Sequence, residues 1–368
     1  MEYAAYTVQD DHVILYRLYG TGPVVEVPDR IDGRRVEILA DHLFADEMSA
    51  LGDPKQMSLA RMEGNSWTGL KGEALSAFFP DSGCGGPAGS QENPERELPA
   101  RVMKTLEKEA LRADRVSVVH IPEGVKQIGN YAFYGLYQLR EVSFPSTIQR
   151  IGWGMFNGCR KVNRLVLELK ETQELTPPAM KELLDTLPNE LDVIVRRDDE
   201  ELYRLRFPAY YEEGKENTPA RIIEIIYHGT GHQYRNCFLN RVLQFDRYDE
   251  VFPLAAAQES PQTNVHLILN RFRSGPAPKK EMQQRYLEYL RREHTVLMDE
   301  ILSDPDFGPE SELRILDGME FFTSTLIDAS IQAASRKGNS RAVSCLMEIR
   351  GRRFAGGSAG KSRSRYEL

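Results

Sequence analysis

The run His228-Gly229-Thr230-Gly231-His232 is where this sequence comes nearest to a chemical motif. A Gly-x-Gly turn ahead of a helix can turn free amide N–H groups toward an anion, and two flanking imidazoles would add donors or proton carriers. The contexts that make such a turn diagnostic are missing: no parallel strand leads into it, no Lys-Ser/Thr follows, and there is no third glycine. A plain turn between helices is the competing reading, because glycine pairs are ordinary turn residues. The second functional reading is therefore a nucleotide- or anion-binding regulator, or an enzyme, with its site around His228–Arg235. His228, His232 and Cys237 could ligate a metal, but a fourth ligand at helical spacing is lacking, so no metal is expected. Asp198-Asp199 and Glu200-Glu201 are a charged run beside a strand, whereas general acid–base work needs carboxylates in different environments within one cleft. No Ser-His-Asp or Cys-His pattern stands out. The sequence predicts no catalytic residue and no cofactor.

The elements that would position these groups are bounded by the bulk numbers. A chain of 368 residues is too long for one ordinary core, so two or three domains are expected. With 41% hydrophobic and 28% charged residues it has the composition of a soluble globular protein. The net charge of −8 disfavours nucleic acid as the main partner, since phosphate binding needs a basic face. No stretch approaches the ~20 apolar residues of a membrane helix. The N-terminus lacks a basic region followed by an apolar block and reads instead as two short strands, Tyr3–Val8 and Val13–Tyr19, around Asp10-Asp11. Cys84, Cys159, Cys237 and Cys345 are scattered, which argues against a disulfide framework and for the cytoplasm.

Self-similarity is the strongest signal. Pro122 recurs as Pro145, Ile128-Gly129 as Ile151-Gly152, Phe133 as Phe156 and Gly135 as Gly158, each at a step of 23 residues. A looser copy, with Pro28, Ile38 and Phe44 in the same roles, precedes them within Val25–Ala45. The apolar triads Val116, Val119, Ile121, then Leu139, Val142, Phe144, then Val162, Leu165, Leu167 fit a strand and its inward turn. Proline after the strand ends the ladder because it has no N–H to donate. The Ile-Gly pair supplies a further apolar residue and then a backbone kink, and Phe133 and Phe156 are expected to plug the interior. One such unit cannot bury its own apolar face, so neighbours must stack.

The unit resembles the BspA-like leucine-rich-repeat family through Ile121-Pro122, Val125, Ile128-Gly129, Ala132-Phe133, Ile148, Ile151-Gly152, Phe156 and Gly158-Cys159. The first copy matches through Val27-Pro28, Ile31, Gly33, Val36, Ile38 and Phe44. Leu136 stands where the family often has Cys, and Met155 where it has Ala. The resemblance covers about residues 1–45 and 114–167. It implies a curved solenoid and an interaction role, and no chemistry.

Residues 46–113 fit no repeat and read as an insertion, with helical spacing at Leu70–Phe78 and Leu98–Leu111 around a Gly/Pro/Ser-rich mobile loop at Pro80–Pro94. A bridging αββ unit follows the repeats: Thr176 as N-cap and Pro177 open a helix to Leu187, and Leu191–Val195 and Leu202–Phe207 are strands. Pro208–Thr218 reads as a linker. Beyond it the pattern is helical, at Ala220–Tyr227, Tyr234–Phe245, Tyr248–Ala257, Asn264–Phe272 and Lys279–Leu302. On the last of these, Met282, Tyr286, Tyr289, Leu290, Leu297 and Ile301 share one face. The final pair, through Ala334-Ser335, Gly338-Asn339, Ala342-Val343 and Leu346-Met347, resembles an ankyrin helical hairpin without its Thr-Pro-Leu-His opening. The fold class is thus α+β, a short leucine-rich-repeat solenoid followed by an α-helical hairpin domain. The expected divisions are 1–45 (hairpin and first repeat), 46–113 (insertion), 114–207 (repeats and bridge), 208–354 (helical domain) and 355–368 (disordered basic tail).

The strand residues that alternate outward would line the concave sheet on which solenoids bind. In register they are Val24 and Glu26, Val118 and His120, Glu141 and Ser143, Arg164 and Val166. The competing reading is a merely solvated or covered face. His120, Glu141 and Arg164 are expected as exposed neighbours on adjacent strands. The first functional reading is accordingly a non-catalytic scaffold for a protein partner.

Overall fold

The computed structural model describes residues 2–44, 57–70, 102, 103, 106, 111, 114–170, 175–217 and 222–354. The loop expected at Pro80–Pro94 and the tail at 355–368 lie outside these, as does most of the two helices expected around that loop. Two compact units emerge. One comprises Met1–Leu202, Ala209–Tyr227 and Phe238–Leu243; the other comprises Tyr203–Pro208, His228–Cys237 and Gln244–Leu368.

The first unit is the solenoid. Strands Val24–Glu26, Val118–His120, Glu141–Phe144, Arg164–Glu168 and Leu191–Arg197 stack in parallel and in register. Their inward row, Val25, Val119, Val142, Leu165 and Val193, is buried throughout. A second parallel stack is formed by Arg34–Leu39, Gln127–Ile128 and Arg150–Ile151. Inside the coils Phe44, Phe133 and Phe156 form a column, with successive ring centroids 5.5 Å and 5.4 Å apart. Phe144 meets Phe156 edge-on at 6.2 Å. The plug expected of Phe133 and Phe156 is therefore present. The glycine of the Ile-Gly pair has a different cause from a kink. A Cβ on Gly152 would come within 2.2 Å of the Gly129 backbone, and one on Gly129 within 2.4 Å of the Asp41 amide. Successive coils touch backbone to backbone there, joined by Gly152 N–H donating to Ile128 C=O at 2.8 Å.

The N-terminal hairpin, Tyr3–Gln9 and His12–Tyr19, turns at Asp10 and Asp11, both at positive φ, as a two-residue hairpin turn matched to strand twist requires. The insertion is not foreign to this sheet. Ser58–Glu63 pairs antiparallel with Tyr3–Gln9, and Ser66–Gly69 pairs with Ser58–Glu63. Val102, Met103 and Leu106, on a helical stretch, are buried in one cluster with Tyr3, Ala5, Tyr19, Met57 and Leu59. The bridge adds a last coil in which the helix Met180–Asp185 is followed by Leu191–Arg197. Thr176 does not cap that helix, whose N-cap is Ala179. Its hydroxyl instead accepts from the Leu243 amide at 3.1 Å.

Three helical expectations fail for local reasons. The helix expected over Ala220–Tyr227 gives way to the strand Ile222–His228, which pairs with Tyr211–Asn217, a strand where a linker was expected, in a two-stranded sheet. Ile222, Ile223, Ile225 and Ile226 are β-branched, and their χ1 stiffness favours extended backbone. The helix expected over Tyr234–Phe245 stops at Arg235. Asn240 and Arg241 then take positive φ and turn a short hairpin, Phe238–Leu239 against Val242–Leu243. Lys279–Leu302 is two helices, Lys280–Arg292 and His294–Ser303, broken at Glu293, although all six residues of its apolar face are buried.

The second unit is helical and tied by polar groups in its interior. Arg271 donates two hydrogen bonds to Asp249, at 2.8 Å and 3.0 Å, and Tyr286 adds a third at 2.9 Å. Burial raises the Asp249 pKa, with Arg271 opposing it. Arg273 pairs with the buried Glu312. The last two helices, Ser324–Arg336 and Ser340–Phe354, form a hairpin around Gly338 at φ 69°, the left-handed position that glycine favours after a helix. Ile327, Ala334, Ala342, Leu346 and Ile349 are buried in it.

Candidate partner-binding face

The strand stack sets the register of its outward side chains. One row runs Val24, Val118, Glu141, Arg164, Asp192, and the next runs Glu26, His120, Ser143, Val166, Ile194. His120 thus sits across from Ser143, not from Glu141, which corrects the expected His120–Glu141–Arg164 alignment by one row. Each coil hands a polar contact to the next. Arg164 lies 3.3 Å from the Glu141 carboxylate, His120 Nδ1 is 3.0 Å from Ser143 Oγ, and His120 Nε2 is 3.6 Å from Glu26. Glu26 is exposed, and Val118, His120, Glu141, Ser143 and Arg164 are half-buried. Side chains of alternating character in such rows stabilise the sheet across strands and present fixed charges to a partner.

Val166 departs from the expectation. It is 2% exposed, and its register neighbour Ile194 is 1% exposed. At this end of the row both apolar side chains are withdrawn from water. The open part of the face therefore ends at Arg164.

The glycine turn is occupied by the protein's own carboxylate. Glu259 Oε1 accepts from the Thr230 amide at 2.8 Å and from its hydroxyl at 2.6 Å. Thr230 and Gly231 are buried, Gly229 is exposed at φ 83°, His228 is half-buried, and the His232 ring lies against Asn236. The helix that follows has only five residues. An added anion would meet the Glu259 charge, so these residues do not form the anion cradle considered above. Cys237 is buried, and burial pushes its thiol pKa up to about 12.

Cys159, at the repeat's own cysteine position, is buried and donates to the Phe133 carbonyl at 3.0 Å. Burial holds its pKa at about 12. Among the described residues one group of potential ligands comes together: His266, Glu300 and Asp304, with ligand atoms within 4.8 Å of one another. The imidazole there serves Glu300 at 2.8 Å. Sequence reasoning missed the cluster because only Glu300 and Asp304 stand at helical spacing, while His266 arrives from another helix.

Parallel coils with an inward apolar column and an outward strand row define a leucine-rich-repeat solenoid. Residues 104–177 match the family model for the BspA type leucine rich repeat region, in six copies, and this part of the chain is a repeat region of that type. None of the curated proteins matches the chain. Two solved structures resemble it. One is a leucine rich cell surface protein from Faecalibacterium prausnitzii A2-165, at 12% identity and TM-score 0.24, over 45% of this chain and 35% of that one. The other is a leucine rich repeat protein of T. pallidum, at 19% identity and TM-score 0.17, over 46% of this chain and 73% of that one. The match thus spans about a third of the Faecalibacterium protein. Among the described residues no helix is long and apolar enough to cross a membrane.

Proposed function

We propose that the protein is a non-catalytic interaction scaffold and that a protein partner docks on the strand face of the solenoid. The observation that carries this reading is the pair of charged and polar rows Glu26–His120–Ser143 and Val118–Glu141–Arg164, held in register by the backbone ladder. A preformed row of charges loses little entropy on binding and selects a partner of complementary charge. Repeat proteins of this kind commonly serve protein interaction, and the buried, free cysteines Cys159, Cys237 and Cys345 are compatible with a cytoplasmic address. The test is photo-crosslinking from a benzophenone amino acid placed at Ser143, with a second placed at Glu348 on the helical unit as control. A partner captured from Ser143, and lost with Glu141→Ala/Arg164→Ala while melting is unchanged, supports the reading. A folded double variant that retains its partner overturns it.

A further inference from the structure

Three coils of the solenoid place corresponding residues, His42, Tyr131 and Gly154, in the left-handed backbone region, at φ 57°, 54° and 63°. Glycine is the residue that conformation favours, and any Cβ is disfavoured there. Two of the coils nevertheless carry rings. His42 stacks on Tyr131 with centroids 5.1 Å apart and planes 15° apart. Tyr131 in turn lies over Gly154, where a Cβ would come within 2.6 Å of its ring. Trp153 stands edge-on to Tyr131 at 5.2 Å, and Tyr134 does so at 5.8 Å. This aromatic strip belongs to no core: Trp153 is 71% exposed and Tyr134 51% exposed. A large exposed apolar group held in place by its neighbours is the informative case, whereas isolated exposed residues are ordinary.

Beside the strip lies a cavity of about 340 Å³ whose lining includes Asp41, Asn130, Arg150 and Trp153, with Gly129 and Gly152 keeping part of its wall at backbone level. Asp41 accepts from the Asn130 amide at 2.7 Å and from its side-chain nitrogen at 3.1 Å. Asn130 Oδ1 accepts from the Trp153 amide at 2.9 Å. This run of hydrogen bonds fixes the indole's backbone and leaves further acceptor and donor positions at the rim, since each carboxylate oxygen can accept twice.

The chemistry selects among ligands. An apolar peptide side chain needs an apolar pocket, and this one is rimmed by a carboxylate, an amide and a guanidinium. A nucleotide would bring phosphates toward Asp41 on a chain of net charge −8. A quaternary ammonium would suit the aromatic faces but would meet the charge of Arg150. A pyranose fits on both counts, having one flat C–H face for a ring and a belt of hydroxyls for short polar side chains. We propose that this strip is a carbohydrate-binding site, with a sugar ring lying on the Trp153 indole and its hydroxyls bonded to Asp41, Asn130 and Arg150. The site is separate from the strand rows of the partner-binding face and does not depend on that reading.

Tryptophan fluorescence of the full chain tests it, because Trp67 and Trp153 are its two tryptophans. Cellohexaose, mannohexaose and lactose are the probes, titrated to millimolar concentration. At least one should give a saturable change that survives Trp67→Phe and is lost from the fluorescence of Trp153→Phe, whose binding, like that of the other Trp153 variants, is read by calorimetry. Trp153→Ala should weaken binding about tenfold, the size of a lost stacking contact, with an unchanged melting temperature. Saturation-transfer NMR on the wild-type chain needs no variant and should mark the C–H protons of one sugar face. No saturable binding of any probe overturns the proposal, as does binding undiminished by Trp153→Ala. A strip that captures a protein through Trp153 and no sugar overturns it as well.

Discussion

Phe133 in the solenoid and Asp249 in the helical unit are both buried, yet the two units hold them differently. Phe133 sits between Phe44 and Phe156, its own equivalents in neighbouring coils. Asp249 is held by Arg271 and Tyr286, side chains on other helices with no repeat relation to it. In the solenoid each contact is a copy of the next, so stability is close to a sum over neighbouring coils. In the helical unit one charge is compensated at one place, and no equivalent stands in for it.

The largest expected effect breaks that compensation. Arg271→Ala should destabilise the helical unit by about 3–5 kcal/mol, because it strands the Asp249 charge in the interior. Arg271→Lys should recover little, since it loses the paired hydrogen bonds. Phe133→Ala should cost about 3–5 kcal/mol, through lost burial plus a cavity, and Phe133→Leu should recover most of it. Chemical denaturation measures all four variants. If the two conservative substitutions recover equally, the contrast between the units fails.

A smaller effect sharpens the solenoid side. Gly152→Ala drives a Cβ into the Gly129 backbone and should cost about 1–3 kcal/mol as an overpacking strain. Gly135→Ala, with open space around its Cβ but φ at 75°, should cost about 1–2 kcal/mol from backbone strain alone. A fall in melting temperature for Gly135→Ala larger than that for Gly152→Ala would show that coil contact is not what selects glycine at 152.

Cys159 gives a pH test confined to alkaline solution. Burial raises its folded pKa to about 12, above the ordinary thiol value of 9.0, so its contribution is complete below pH 9 and is lost as pH rises from there toward 12. Cys159→Ala should flatten the fall of unfolding free energy over that window. An unchanged slope would place the alkaline loss on other groups.

The smallest effect belongs to the strand face. Glu141 and Arg164 are half-buried partners at 3.3 Å, and removing both should change stability by no more than about 1 kcal/mol. Thermal melting of the double variant checks this. A larger loss would mean that the rows are structural glue and not a free surface.

The repeat was readable because its spacing brings each residue beside its own equivalent, so the apolar rows, the phenylalanine column and the buried cysteine follow from one period. Even so, the reason for Gly129 and Gly152 emerged only from the closeness of adjacent backbones. The isoleucine-rich run at 222–228 was misread because a short β-branched segment has no period long enough to separate helix from strand. The insertion's strands were missed because their partner, Tyr3–Gln9, lies far away in sequence.

The sequence by itself determined the solenoid, its inward rows and the outward identity of Glu26, His120, Glu141 and Arg164, because strand alternation and the 23-residue step are local properties. Only the tertiary structure decided that Val166 is covered, that Glu259 fills the Thr230 turn, and that His42, Tyr131 and Trp153 meet as one strip. Each of these depends on which side chains reach one another across strands, coils or helices. That distance is set by packing, and no periodicity within a single element records it.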